Sequence, residues 1–365
     1  MSASKTIAVK AMPTTAYKNE QLNLFQEFLA NEVDTDTLSN AILLWDNTPR
    51  YSVSRKQMDS KRNSDGSLPV LKREFKHLNR NYAVEIRPAR IEVRKNGKLT
   101  GENLDFYPSG REELVEQALR KLATEQTSGF YDQSYHCTGV TFTLYQLRGE
   151  LAKRGHSFKH HDLIESLDIL NLSNIRLLEA NSNNTDSSMA SQAYFPMLFK
   201  ITKAMLNSEP DAKWHVQFHR LVADSIKNLT YRQFNYARWM SCKLHLSRWL
   251  ITYLVLKFTQ AAPLAKFTMR YSTIERDSGM LNFTQPRQAI AALDEAFSEI
   301  KSTGIVVNFD KKISRGIRGK IIDVEYILQP SIKFVREQKA SNKRNLNSES
   351  SCRQNPEQKI MNCKT

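Results

Sequence analysis

Cysteine is scarce in this sequence, and its cysteines are not spaced for a metal site. Cys137, Cys242, Cys352 and Cys363 are scattered along 365 residues, without the close pairs of a structural zinc site. We expect ordinary free thiols and a fold that depends on hydrophobic packing. The 40% hydrophobic share is enough to build cores in two or three domains.

Long apolar runs are also missing. The first residues, Met1–Lys10, contain no apolar stretch of signal-peptide length, and Leu250–Leu256 is far too short to span a bilayer. We therefore expect a soluble, cytoplasmic protein.

No catalytic constellation is evident. The sequence has no Gly-rich phosphate loop followed by Lys-Ser/Thr, so ATP hydrolysis is not expected. A strand-nicking enzyme would need a His-apolar-His metal pair and a tyrosine nucleophile, whereas His160 and His161 are adjacent. If helical, His156 with His160 and His215 with His219 could form metal pairs, but isolated histidines are usually structural. We expect a binding protein without cofactor or metal, not an enzyme.

Acidic residues are outnumbered by basic ones, 38 to 53, which gives a formal charge of +15. Such a surplus indicates a polyanionic partner, because neutralising phosphates releases counterions and yields affinity without any sequence match. Nucleic acid is the expected partner. An anionic membrane is the competing polyanion, and the missing apolar runs disfavour it.

The C-terminal third has the order of elements of a winged helix. Apolar residues at helical spacing predict three helices, and alternation then predicts a hairpin. These are a helix over 241–260, a short helix from Ser272 to Gly279 with a Ser-Thr-Ile-Glu capping box, a helix from an N-cap at Thr284 to Gly304, a strand over 305–309, a basic loop over 311–320 and a returning strand to Leu328.

In this class of fold the last helix can enter the major groove, while the hairpin lies over the backbone or in the neighbouring minor groove. Arg287 and Gln288 are the expected readers of base edges, and the hairpin is expected to contact phosphate. A basic hairpin can also be a solvated sheet edge that discourages pairing. The DNA-binding candidates in this module are Arg270, Ser272, Gln285, Arg287, Gln288, Lys311, Lys312, Arg315, Arg318 and Lys320.

A second run of three helices and strands precedes this module, so we predict an α+β protein with two tandem winged-helix domains after a small mixed α/β region. The upstream reading helix contains Lys159 but also Asp162, Glu165 and Asp168, which would face phosphates badly. Dimerisation or backbone contact is the expected role of this domain.

The predicted division of the chain follows from these patterns. Residues 221–234 are expected to form a linking helix, with Arg232, Arg238 and Lys243 available for phosphates, and the Ser-, Asn- and Gln-rich tail is expected not to fold alone. The predicted units are a flexible arm (1–37), a small mixed domain (38–109), a first winged-helix domain (110–212), a linker with a second winged-helix domain (213–332) and a disordered basic tail (333–365).

The arm contains the pentapeptide Gln21-Leu22-Asn23-Leu24-Phe25. It resembles the sliding-clamp binding peptide of bacterial replication proteins, in which a glutamine and adjacent apolar anchors dock in a groove. That resemblance assigns clamp contacts to Gln21, Leu22, Leu24 and Phe25. The alternative is a helix whose apolar face packs on its own domain.

The ordered motifs over Ser39 to Ser331 resemble those of plasmid replication initiators of the tandem winged-helix, iteron-binding superfamily. The stretches that carry this resemblance are Ser39-Asn40, Trp45-Asp46, Pro49-Arg50-Tyr51, Gly129-Phe130, Phe142 to Leu147, Ser225-Ile226-Lys227, Leu229 to Gln233, Ser272-Thr273-Ile274, Arg276 to Gly279 and Leu328 to Ser331.

The resemblance implies a bacterial, DNA-associated protein that binds directly repeated origin sites, helps to open the origin and recruits the host clamp and replicative helicase. It also implies a switch between a homodimer and a monomer. A winged-helix transcriptional regulator without a replication role is the alternative, and a strand-nicking enzyme is a further one that the residues disfavour.

Overall fold

The computed structural model describes residues 36–95, 98–124, 128–132, 135, 137–179, 187–201 and 213–354. Its helices are α1 (Leu43–Asn47), α2 (Arg55–Lys61), α3 (Gly110–Leu122), α4 (Leu144–Lys153), α5 (His160–Leu172), α6 (Arg220–Lys227), α7 (Tyr236–Ser241), α8 (His245–Lys257), α9 (Tyr271–Ser278), α10 (Pro286–Ser302) and α11 (Ile332–Gln354). Its strands are β1 (Leu38–Ile42), β2 (Leu71–His77), β3 (Arg80–Arg87), β4 (Ala89–Lys95), β5 (Lys98–Phe106), β6 (Gly129–Asp132), β7 (Cys137–Phe142), β8 (Asn174–Glu179), β9 (Ser187–Ala193), β10 (Met197–Phe199), β11 (Trp214–Gln217), β12 (Tyr231–Asn235), β13 (Phe267–Arg270), β14 (Val306–Arg315) and β15 (Ile321–Pro330).

The second winged helix is formed as the sequence predicts. Helices α8 and α10 pack on each other, α9 packs on β13 and β15, and β13, β15 and β14 form a three-stranded antiparallel sheet in that order. Gly279 ends α9 in the left-handed conformation, with φ of 62°, which a residue without a Cβ adopts at little cost. The apolar stripe of α10 is buried through Leu293, Phe297 and Ile300.

Three local predictions for this module are wrong. Ser272 does not cap α9; its backbone N–H and hydroxyl instead donate to the Asp323 carboxylate on β15, at 3.1 and 2.7 Å. Helix α10 is preceded by Gln285 rather than by a Thr284 cap. Finally, the hairpin strands continue to Arg315, so the turn is much shorter than the predicted loop over 311–320.

The first winged helix consists of α3, α4 and α5 followed by the hairpin of β8 and β9, which confirms the prediction of tandem modules. Its sheet is extended by the upstream hairpin, because β3 pairs antiparallel with β8 to give the order β2, β3, β8, β9. The strand before α4, β7, lies in another four-stranded sheet with β6, β10 and β11. Residues of the 38–109 region therefore complete a sheet of the first module.

The predicted linking helix over 221–234 is wrong, because α6 ends at Lys227 and β12 follows. Strand β12 pairs antiparallel with β1, from Leu38 opposite Asn235 to Ile42 opposite Tyr231. This two-stranded ladder joins the region that precedes the first module to the segment that precedes the second.

The prediction of a disordered tail over 333–365 is wrong for residues 333–354, because α11 extends through Gln354, and residues 355–365 lie outside the described chain. Its inner face packs on β12, where the Ser341 hydroxyl accepts from Gln233 N–H at 3.1 Å, and Glu337 pairs with Arg238 of α7 at 2.9 Å. Phe334 and Val335 are buried at its first turn. A polar sequence becomes helical here because its Asn, Gln and Ser side chains have partners on the body of the protein.

A buried cluster of charges lies between α1, the following turn and α3. Asp46 pairs with Arg50 at 2.7 Å and with Arg120 at 2.8 Å, and Arg50 pairs with Glu116 at 2.6 Å. Glu116 also accepts hydrogen bonds from the Trp45 indole and the Tyr51 hydroxyl. Burial disfavours the charged form of Glu116, yet the Arg50 and Arg120 guanidinium groups hold the pKa of its carboxyl below its usual range.

The two modules touch beside this cluster. Arg248 of α8 pairs with Glu113 of α3 at 3.1 Å, and its guanidinium also donates to the Gly110 carbonyl at 3.4 Å. On the other side, the Lys76 N–H of β2 donates to the Asp277 carboxylate of α9 at 3.0 Å. Both contacts fix the second winged helix against the first.

We predict that Glu116→Gln lowers the free energy of unfolding by about 3–5 kcal/mol, because it leaves two buried arginines short of a counter-charge. Urea denaturation measures this, with the exposed Glu74→Gln as the matched control. Since the native pKa of Glu116 is depressed, its stabilisation is present above the unfolded pKa of about 4.3 and is lost as the pH falls through the native value. The variant should lose less stability than the wild type on acidification, and equal stability of the two proteins at pH 7 would contradict the assignment.

Candidate nucleic-acid interface

Helix α10 presents an open face to solvent. It packs on α8 and β14 through its apolar stripe, while the opposite face contains Arg287, Gln288, Ala291, Glu295 and Ser298, all exposed. The spacing of four, four and three residues from Arg287 to Ser298 places a side chain on the same side at each turn. The two predicted base readers therefore lie at the N-terminal end of a free helical surface.

The wing, which is the hairpin of β14 and β15, is attached to α10 by side-chain contacts. The Lys311 ammonium pairs with the Asp294 carboxylate of α10 at 2.5 Å, and the Tyr326 hydroxyl donates to the same carboxylate at 3.2 Å. The Tyr326 ring also stacks on Phe297 with 4.5 Å between centroids. Lys311 was expected to contact phosphate, but the structure uses it to fix the hairpin against α10.

The other predicted hairpin cations lie on the outer part of the wing. Lys312, Arg315, Arg318 and Lys320 are exposed, and Arg315 donates to the Gly319 carbonyl at 3.1 Å, across the turn. Among the described residues, no ion pair involves Lys312, Arg318 or Lys320. These three side chains are the ones best placed to meet a polyanion.

The remaining candidates of the second module lie at the entry to α9 and α10. Arg270 and Gln285 are exposed at the residues that precede these helices. Ser272 is also exposed, but its hydroxyl is committed to Asp323. Arg270 is thus the freer of the two α9 candidates.

The reading helix of the first module is covered, which the sequence did not predict. Strand β4 packs against α5, and His160 and Leu172 at its two ends are the exposed residues within it. Lys159 is exposed just before the helix. The first module therefore exposes the N-terminal tip of α5 to solvent rather than a whole face of this helix.

The acidic residues of α5 do not repel a phosphate backbone in the way the sequence suggested, because each has a basic partner. Glu165 pairs with Arg111 at 2.5 Å and with Arg55 at 3.3 Å, Asp162 pairs with Arg111 at 3.8 Å, and Asp168 pairs with Lys200. Access of a phosphate backbone to α5 is therefore restricted by the packing of β4 on this helix and not by its negative charge.

Arg232 was expected to reach phosphates, and the structure contradicts this. It is 8% exposed, and its guanidinium donates to the Val255 carbonyl, the Gln338 amide at 3.0 Å and the Asn342 amide at 2.6 Å. Burial lowers the pKa of this guanidinium from its usual value. Arg232 attaches α11 to β12 and to the end of α8.

The outer side of α11 adds a basic row. Lys333, Arg336, Lys339 and Lys343 are exposed and follow one another at three, three and four residues, opposite the face that packs on β12. The sequence predicted these cations in an unfolded tail, whereas the helix aligns them.

Three of the four histidines considered as metal ligands make structural contacts, and the fourth, His160, is exposed. His156 hydrogen-bonds the Met240 carbonyl at 2.7 Å, His215 stacks on Phe130, and His219 stacks on Trp45 with 4.3 Å between centroids. Burial lowers the pKa of His219 to about 3, which keeps its ring neutral. In the described ranges, no group of three or more His, Cys, Asp or Glu side chains is placed to hold a metal ion.

Two further expectations concern the clamp-like peptide and membrane-spanning helices. The clamp-like peptide with Gln21, Leu22, Leu24 and Phe25 lies outside the described residues. Within the part that the structure describes, no helix is both long and apolar enough to cross a membrane.

Solved structures similar to this chain include domains 2 and 3 of RctB, with 10% sequence identity, a TM-score of 0.47 and coverage of 82% of this chain and 98% of that one. A second structure of RctB domains 2-3 has 9% identity and a TM-score of 0.41, over 73% of this chain and 94% of that one. The Pi initiator protein, solved in complex with iteron DNA, has 12% identity and a TM-score of 0.41, over 61% of this chain and 91% of that one. No protein-family model and no curated protein matches the chain.

We predict that Arg232→Ala lowers the free energy of unfolding by about 1–3 kcal/mol, because three buried acceptors lose their donor. Arg270→Ala is the contrasting variant, with stability within about 0.5 kcal/mol of the wild type, since this side chain is exposed. Urea denaturation measures both variants. Wild-type stability of Arg232→Ala would mean that the residue is not part of the core.

Proposed function

We propose that this chain is a plasmid replication initiator that binds directly repeated sites in duplex DNA, helps to open the origin and recruits host replication proteins. One observation carries the DNA-binding part: the open face of α10, with Arg287 and Gln288 at its start, is fixed beside a wing whose outer cations are unpaired in the described structure. A major-groove helix and a backbone-contacting hairpin need this arrangement.

The initiator part rests on the ordered motifs that resemble iteron-binding initiators. Several of their residues are buried in contacts between elements: Asp46 and Arg50 belong to the charge cluster between α1 and α3, and Asp277 of the second module accepts from β2. This supports a resemblance of architecture, since these three motif residues are buried and Asp277 positions the reading module against β2.

In this proposal the second module reads bases, and the first contacts backbone or a second copy of the chain. Lys159 and the exposed tip of α5 are its contribution to DNA. Recruitment of the clamp through Gln21, Leu22, Leu24 and Phe25, recruitment of the helicase and a switch between homodimer and monomer remain parts of the proposal.

The test is gel-shift binding of the purified protein to duplex DNA from upstream of its own coding sequence, with scrambled competitor at several salt concentrations. A ladder of competitor-resistant bands is expected, because repeated sites fill in turn. A smear that competitor removes would contradict specific binding. Loss of plasmid copying when the gene is disrupted and the sites are intact separates an initiator from a transcriptional regulator.

We predict that Arg287→Ala erases preference among sites, at a cost of roughly 1–3 kcal/mol if the guanidinium makes a bidentate base contact. Binding to scrambled DNA should change little. The matched control is Lys301→Ala, an exposed cation at the other end of α10 that lies close to Asn308. Competition gel shifts with single-base site variants measure the preference, and an unchanged ratio of specific to scrambled affinity would mean that another element reads the bases.

We predict that replacing Lys312 and Lys320 together by Ala weakens binding to all sequences and lowers the slope of log K against log salt by about one to two units, since each phosphate contact adds about 0.9. The matched control replaces Lys56 and Lys61, two exposed lysines of α2, and removes the same net charge. A parental salt slope in the wing variant would contradict the phosphate contacts.

A further inference from the structure

The tip of the wing exposes an isoleucine almost completely. Ile317 is 90% exposed, and Ile322, just after the turn, is 68% exposed. A single exposed apolar side chain is ordinary on a protein surface, but Ile317 lies in a turn whose other residues from Arg315 to Lys320 are all charged or glycine.

The backbone of the tip is closed and holds Ile317 outward. Gly316 N–H donates to the Lys320 carbonyl at 2.8 Å, and Gly319 N–H donates to the Gly316 carbonyl at 3.1 Å. Arg318 and Gly319 both adopt the left-handed conformation, with φ of 59° and 72°. Because the turn is fixed in this way, Ile317 does not fold back onto the sheet.

The surroundings of Ile317 define the chemistry of its ligand. Arg315, Arg318 and Lys320 encircle the tip, so the ligand is polyanionic at its surface, and the isoleucine requires an apolar interior beneath that surface. Duplex DNA has this arrangement, with phosphates at the rim of a groove and stacked bases at its floor. An anionic membrane has it as well.

The attachment of the wing to α10 favours DNA. Lys311 and Tyr326, which lie opposite each other in the hairpin, both bind Asp294, so the hairpin that carries the tip is attached to the reading helix. A helix in a major groove places such a hairpin over the neighbouring minor groove.

We propose that Ile317 is an apolar wedge that enters the minor groove and partly unstacks one base step of the bound duplex, with Arg318 and Lys320 on the flanking phosphates. This rests on the proposed DNA binding and adds a deformation of the DNA to it. Apolar wedges of this kind kink a duplex by about 20–90°, and the cost of unstacking depends on the step, so the wing would select flexible steps that α10 never touches.

The test uses duplexes that the protein itself selects from a random 30-base-pair pool, with 2-aminopurine placed at successive positions. The wild-type protein should raise 2-aminopurine fluorescence severalfold at one step on the wing side of the site, because unstacking removes quenching. Ile317→Ser should return that signal to the level of free DNA with the salt slope unchanged, since every cation remains. Ile317→Leu should preserve the signal.

The matched control is Leu264→Ser, an equally exposed leucine (89%) in the connection between α8 and β13, and it should behave as the wild type. Wild-type fluorescence in Ile317→Ser would overturn the wedge while leaving DNA binding intact. Failure of the wild type to enrich or bind any duplex would instead overturn the proposed function. Ile317-dependent binding to vesicles of phosphatidylglycerol and phosphatidylcholine, without a 2-aminopurine response, would replace the DNA wedge by a membrane contact.

Discussion

Mutual neutralisation of buried charges is the constraint on which the arrangement of this protein depends. Asp46, Arg50, Glu116 and Arg120 are all at most 9% exposed, and removing any one of them leaves a charge of the opposite sign in a poorly hydrated interior. Arg120 also donates to the Asn40 carbonyl of β1. Since β1 pairs with β12, one cluster fixes α1 against α3, the strand beside it and the segment that precedes the second module.

Local patterns in the sequence predicted most of the regular structure. The apolar stripe of α10, the Gly279 stop and the alternation in β15 depend on residues close in the chain, so periodicity indicated the second winged helix correctly. The C-terminal tail is a segment whose structure local patterns failed to predict. Its Gln338, Ser341 and Asn342 lack a hydrophobic pattern, and their partners on β12 lie far away in sequence, so no local signal predicted α11.

The sequence predicted the candidate site in part as well. Exposure of Arg287, Gln288 and the outer wing cations follows from their positions on α10 and the hairpin, whereas the commitment of Lys311 to Asp294 and the burial of Arg232 depend on non-local contacts. The packing of β4 on α5 likewise depends on residues that are distant in sequence. The one overlooked signal was compositional, an isoleucine between Gly316 and Arg318 in an otherwise polar turn.

The β1–β12 ladder has a consequence for synthesis of the chain. Strand β1 is near the start of the described chain, but its partner is made only after the whole first module has been translated. Pairing so distant in sequence closes late, because loop-closure entropy must be overcome before the contacts form. On the ribosome, β1 therefore keeps an open edge throughout this interval, and the emergence of residues 231–235 is the moment when the nascent chain first covers it.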